Sequence, residues 1–154
     1  MPDAPYFVPR DPVHGRTWRN AGTLISADMP SAPTILVVEN QASVLSLTCS
    51  TLQAGGYATL EAVDGLTAWQ MLATHRDRIH CLAIDFLLPD LNGGAIVELA
   101  REFWPHLPVL LISSQPHAQV TSLFPLLKDL SFLKKPFHDD DLLAIIQILA
   151  PLHA

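Results

Sequence analysis

Hydrophobic and polar positions fall into two regimes along the chain, and the change comes at Thr34. From there on, short apolar runs alternate with longer stretches in which apolar residues recur at helical spacing. The run TILVV (34–38) is rich in β-branched residues, as a strand buried on both sides of a sheet requires, and CLAIDF (81–86) and PVLLIS (108–113) read as further strands. YATLEA (57–62) is a weaker strand, fit for an edge, and SFLKK (131–135) is a fifth. Residues 42–54 place Val44, Leu45, Leu47, Thr48 and Leu52 on one helical face and end at Gly55-Gly56. GLTAWQMLATHR (65–76) predicts a second helix, with Leu66, Trp69, Met71 and Leu72 apolar. GAIVELAREFW (94–104) predicts a third, stopped before Pro105. A fourth helical stretch, about 117–129, is interrupted by Pro125. DDDLLAIIQILA (139–150) is the last helix, its three aspartates at the end where the macrodipole favours them. Five strand–helix units in strict alternation predict an α/β fold, a doubly wound five-stranded parallel sheet with helices on both faces.

Residues 1–33 lack this order. They hold six of the thirteen prolines and no sustained periodicity, which predicts a flexible extension ahead of a domain at 34–154. Within it, Tyr6, Phe7, Val8 and Trp18 are available as a short apolar docking clip. Three acidic and three basic side chains cancel there, so the net charge of −6 belongs to the domain. An acidic domain without a Lys/Arg stripe argues against nucleic acid as a partner. No apolar run is long enough to span a bilayer, and no signal peptide is evident, so a cytoplasmic location without membrane contact is expected. Cys49 and Cys81 each sit inside an apolar element and read as buried free thiols in a reducing compartment.

In doubly wound sheets, ligands sit beyond the carboxyl ends of the strands. Strand one ends in Glu39, strand three in Asp85, strand four in Ser113-Ser114 and strand five in Lys135-Pro136. A carboxylate can attack a phosphoryl group, given a divalent cation held by nearby acids and donors for the equatorial oxygens. Glu39, Asp85, Ser113 and Lys135 would supply those parts. Each also has a plainer reading: Asp85 as a loop cap, Lys135 as a solvated lysine, Ser113 as an ordinary strand end. No nucleophile elbow, HExxH or Walker-type loop points to an ordinary hydrolase, and ENQASV is not the phosphate loop of a flavin binder.

With ILVVEN, AIDFLLPDLNGG, PVLLISS and FLKKPF in that order, residues 34–150 resemble the receiver domain of two-component response regulators. The resemblance implies the strand order 2-1-3-4-5. It implies Asp85 as phosphoacceptor, and Mg²⁺ held by Glu39, Asp85 and the backbone carbonyl of Leu87. Ser113 and Lys135 would bind the phosphoryl group, Phe132 would be the aromatic switch or plain core, and Pro136 would follow a cis peptide bond. The implied partners are a histidine kinase or a histidine phosphotransferase. With only Pro151 to Ala154 beyond the last helix, a stand-alone, non-enzymatic regulator signalling through a downstream protein is expected. Ile148 falls outside the face formed by Leu142, Leu143, Ile145, Ile146 and Leu149, so the last helix is a candidate surface for a partner or a second copy.

Two departures stand out. The family has two adjacent acids after strand one; here the second is Asn40, a weak, uncharged ligand, so Mg²⁺ should bind less tightly. In place of the family's small glycine-containing turn before strand five, the chain reads LLKDLSF, with Pro125 upstream. Asn40 is the clue for an alternative, a pseudo-receiver that binds partners without phosphorylation.

Overall fold

Residues 32–152 are described by the structure, a computed structural model. The extension expected over 1–33, with its clip of Tyr6, Phe7, Val8 and Trp18, lies outside the described residues but for its last two. Five strands, β1 (Thr34–Val38), β2 (Ala58–Ala62), β3 (Cys81–Asp85), β4 (Val109–Ser113) and β5 (Ser131–Lys134), alternate with five helices. These are α1 (Ala42–Ala54), α2 (Gly65–His75), α3 (Gly93–Phe103), α4 (His117–Leu123) and α5 (Asp139–Leu149), with 3-10 turns at Arg76–Arg78 and Pro125–Leu127. All strand pairs are parallel, in the order β2-β1-β3-β4-β5, so the weak strand is indeed at an edge.

The apolar runs explain why the sheet is covered twice. Successive side chains of a strand point to opposite faces. Ile35 and Val37 of β1 pack with Leu45, Cys49 and Leu52 of α1 and with Leu142 and Ile146 of α5. Leu36 and Val38 pack on the other side with Ala68 and Leu72 of α2, Ile96 and Val97 of α3, and Val120 of α4. All four β1 residues are essentially inaccessible. At about 1.5–3 kcal/mol for each such side chain, the two half-cores are what hold the sheet's carboxyl edge in place. Register then sets that edge: Val38 pairs with Ile84, Asp85 with Ile112, and Ser113 with Lys134. Glu39, Asp85, Ser113 and Lys135 therefore come out along one rim.

Two helical residues differ from expectation. Leu47 and Leu66 are exposed rather than packed. On α1 the buried set is Leu45, Thr48, Cys49 and Leu52, an i, i+3, i+4, i+7 stripe that leaves Leu47 off its axis. The fourth helix ends at Leu123, because Phe124 leaves helical geometry (φ −131°, ψ 76°) ahead of Pro125, whose ring disfavours a helical residue before it. After α1 the chain reverses through Gly56 at φ 102°, a conformation open to glycine and costly to other residues.

Candidate functional site

Glu39 follows β1 immediately, and its amide bonds the Ala62 carbonyl (3.0 Å), which fixes where the side chain starts. Its carboxylate accepts from the Gln41 amide at 3.0 Å through Oε2. Asp85 is the last residue of β3 and accepts from the Leu87 amide at 3.3 Å through Oδ1. The remaining oxygens of both acids converge on one group: Lys135 Nζ donates to Glu39 Oε1 at 2.6 Å and to Asp85 Oδ2 at 2.8 Å. Glu39 and Asp85 are only 4% and 6% exposed, so these are charges in a partly dehydrated cleft. Ser113 is fully buried, and its Oγ accepts from the Gln115 amide at 2.9 Å. The Lys135 amide donates to the Ser113 carbonyl at 2.8 Å, and the Lys135–Pro136 peptide is cis.

Burial pushes the Asp85 carboxyl above its usual range and the neighbouring Glu39 charge adds to this, while the hydrogen bond and charge of Lys135 pull it partly back. Burial works the other way on Lys135, but the hydrogen bonds and charges of Asp85 and Glu39 outweigh it and hold the ammonium above its usual value. The cleft thus brings two carboxyl groups and one lysine amine within hydrogen-bond distance. Asp85 is dehydrated, oriented and aimed at the rim, which suits a nucleophilic oxygen.

Asn40 is exposed at the start of the turn, and the sequence offers no acid in its place. Among the described residues no group of three or more His, Cys, Asp or Glu side chains could hold a metal ion. The donor set that does exist is Glu39 and Asp85, converging, with the backbone at Leu87 close behind Asp85. Mg²⁺ is commonly held through one or two carboxylates plus water and phosphate oxygens, so the set fits a divalent cation with reduced charge.

Phe132 is half-buried, with the His117 ring at 4.9 Å and tilted by 56°. Beside Lys135 opens an apolar hollow of about 490 Å³, lined by Val44, Leu47, Pro136 and Phe137 among others. Three neighbours of the rim were not singled out from sequence. Gly93 opens α3 so close to β3 that a Cβ there would stand 2.1 Å from the Asp85 carbonyl oxygen. Phe124, at the break after α4, meets Phe86 edge-on at 5.6 Å. Asp90 binds backbone amides across two segments. Only the PDLNGG punctuation of the loop signals any of them.

The family model described as "Response regulator receiver domain" matches residues 35–147. Response regulator MprA of Mycobacterium leprae is 32% identical over 117 residues, covering 75% of this chain and 50% of that protein. Putative two-component response regulator ARR21 of Arabidopsis thaliana is 28% identical over 113 residues, covering 73% of this chain and 18% of that protein. The chain thus spans half the length, or less, of these curated relatives. Among solved structures, the response regulator receiver domain protein from Clostridium thermocellum superposes with a TM-score of 0.71 at 20% identity, over 77% of this chain and 94% of that one. That likeness concerns the fold.

Proposed function

The chain belongs to the response regulator receiver domain family, and from that premise we propose that Asp85 accepts a phosphoryl group from a phosphohistidine of a histidine kinase or histidine phosphotransferase. The observation that carries this reading is the convergence of Glu39, Asp85 and the Lys135 ammonium in one buried cleft. In the transfer, an Asp85 carboxylate oxygen attacks phosphorus. The bond from phosphorus to the donor nitrogen breaks, and the nitrogen leaves with its electron pair and takes up a proton. The product is an acyl phosphate on Asp85. In this reading Lys135 neutralises charge that develops on the phosphoryl oxygens, and the Ser113 hydroxyl at the end of β4 donates to one of them. Glu39, Asp85 and the Leu87 carbonyl would hold Mg²⁺, with the Asn40 amide a weak further ligand. When bound, the ion supplies positive charge to the transferring group.

The donor is a protein in this reading, and the apolar hollow beside Lys135 gives it a surface to rest on. The signal leaves by contact with a downstream protein. Phe132 with His117 above it, and the exposed Ile148 of α5, belong to the surface that would change or dimerise. No helix of the described residues is long and apolar enough to cross a membrane.

Asn40 favours a second reading, a module that binds partners without being phosphorylated, because it removes a charged metal ligand. The two readings separate with phosphoramidate, a small P–N donor that mimics phosphohistidine, in excess Mg²⁺. The acceptor reading expects one hydroxylamine-labile phosphoryl group, mapped by peptide analysis to Asp85 and lost in Asp85→Asn. No label at any Mg²⁺ concentration supports the second reading, and label on a residue other than Asp85 contradicts the acceptor reading.

A further inference from the structure

We infer that Asp90 is a positioning residue that ties the acceptor loop to the start of α2; the functional part of this inference rests on Asp85 being the acceptor. The loop from Phe86 to Asn92 follows directly on Asp85 and carries Leu87 near its head. It is anchored at one end by Phe86 N–H bonding the Ile112 carbonyl (2.7 Å). At the other end Gly93 N–H bonds the Phe86 carbonyl (2.8 Å), and Asn92 caps α3 through the Gly94 amide (2.7 Å). Its middle is held by one carboxylate. Asp90 Oδ1 accepts from Gly65 N–H at 2.8 Å and Leu91 N–H at 2.8 Å, and Oδ2 from Leu66 N–H at 3.0 Å.

Gly65 and Leu66 are the first residues of α2, whose opening amides have no partner within the helix. That helix already has a cap of its own, because Asp64 accepts from Thr67 N–H at 2.8 Å. Asp90, 25 positions further on, is therefore more than a local cap: it joins two segments. The fit between them is tight. A Cβ on Gly65 would stand 2.6 Å from Ile96 Cδ1 and 2.8 Å from Leu91 Cβ, so any larger residue would push the loop away. The same bonds, that to Gly65 first, hold the Asp90 carboxyl below its usual range, as bonds to the charged form should. The positive end of α2 favours the same charge. Without Asp90 the loop keeps its two ends but loses its brace, and the positions of the Leu87 carbonyl and of the Leu87 amide on Asp85 become free to drift.

Asp90→Ala compared with Asp64→Ala tests this, since both remove an aspartate from the start of α2 but only one touches the loop. Hydrogen exchange of the loop amides at 86–92 reads the brace directly. Asp90→Ala should raise it by about tenfold, and Asp90→Asn, which keeps an acceptor oxygen, by less. Phosphorylation by acetyl phosphate should slow in the same order, and half-saturation by Mg²⁺ should rise. Asp64→Ala should lower Tm while leaving loop exchange and phosphorylation as in the unmodified chain. Unchanged loop exchange in Asp90→Ala, or an equal rise in Asp64→Ala, overturns the inference. A chain that takes no phosphate at all contradicts the acceptor reading, and the exchange comparison still decides this one.

Discussion

As the proposed phosphoryl acceptor, Asp85 meets two opposed demands. As a buried acid beside Glu39 it is unfavourable when charged, yet only the charged oxygen can attack phosphorus. Lys135 reconciles them in part. The sign of the linkage follows: a carboxyl whose folded pKa is raised contributes stability below its unfolded value, about 3.8, and loses it as pH rises through the folded value. At neutral pH, ionised Asp85 therefore works against folding. Asp85→Asn should raise Tm by a few degrees at pH 7, with the gain shrinking as pH falls toward 4, in thermal unfolding monitored by circular dichroism. Lys135 has the other sign of charge and the same direction of shift. Its contribution is present at neutral pH and lost only in the alkaline range, above its ordinary 10.5. A Tm for Asp85→Asn below that of the unmodified chain at pH 7 would show that the ion pair outweighs the burial cost.

Among the elements, the junction of β3 and α3 is the least forgiving. Gly93 is buried, and a methyl group there meets backbone atoms: 2.1 Å to the Asp85 oxygen, 3.0 Å to its carbonyl carbon and 3.1 Å to Phe86 Cα. No rotamer change relieves that contact. Gly93→Ala should cost about 2–5 kcal/mol in chemical denaturation, although alanine is normally the better helix residue. A loss under about 0.5 kcal/mol would mean that α3 can shift away from the strand. Sequence periodicity could not reveal this, because it records which residues face inward and is silent on how near two backbones come. The same limit explains Leu47 and Leu66, which are apolar by type but stand off the buried stripes of α1 and α2. The break after α4 was legible in outline from Pro125, while its exact consequence, Phe124 turned against Phe86, depends on tertiary packing.

For the molecule as a whole, the alternation of runs gave the layers and the strand ends gave the rim. The largely apolar runs at 34–38, 81–86 and 108–113 form central strands with side chains in both half-cores. The order 2-1-3-4-5 came from resemblance rather than from periodicity, which cannot distinguish among right-handed crossovers. Glu39, Asp85, Ser113 and Lys135 were visible as strand ends, but that one ammonium would bridge both acids required the register and the course of β5 into Pro136. The central claim is that this rim is a phosphoryl acceptor whose metal is limited by Asn40. Intact mass after incubation with acetyl phosphate across a Mg²⁺ titration tests it most directly. One phosphoryl group should be added to the unmodified chain at high Mg²⁺ and none to Asp85→Asn. Asn40→Asp should reach half-maximal labelling at roughly 5- to 150-fold less Mg²⁺, the equivalent of about 1–3 kcal/mol for one restored charge. Labelling that survives in Asp85→Asn, or its absence even in Asn40→Asp, would show that this rim is not the acceptor.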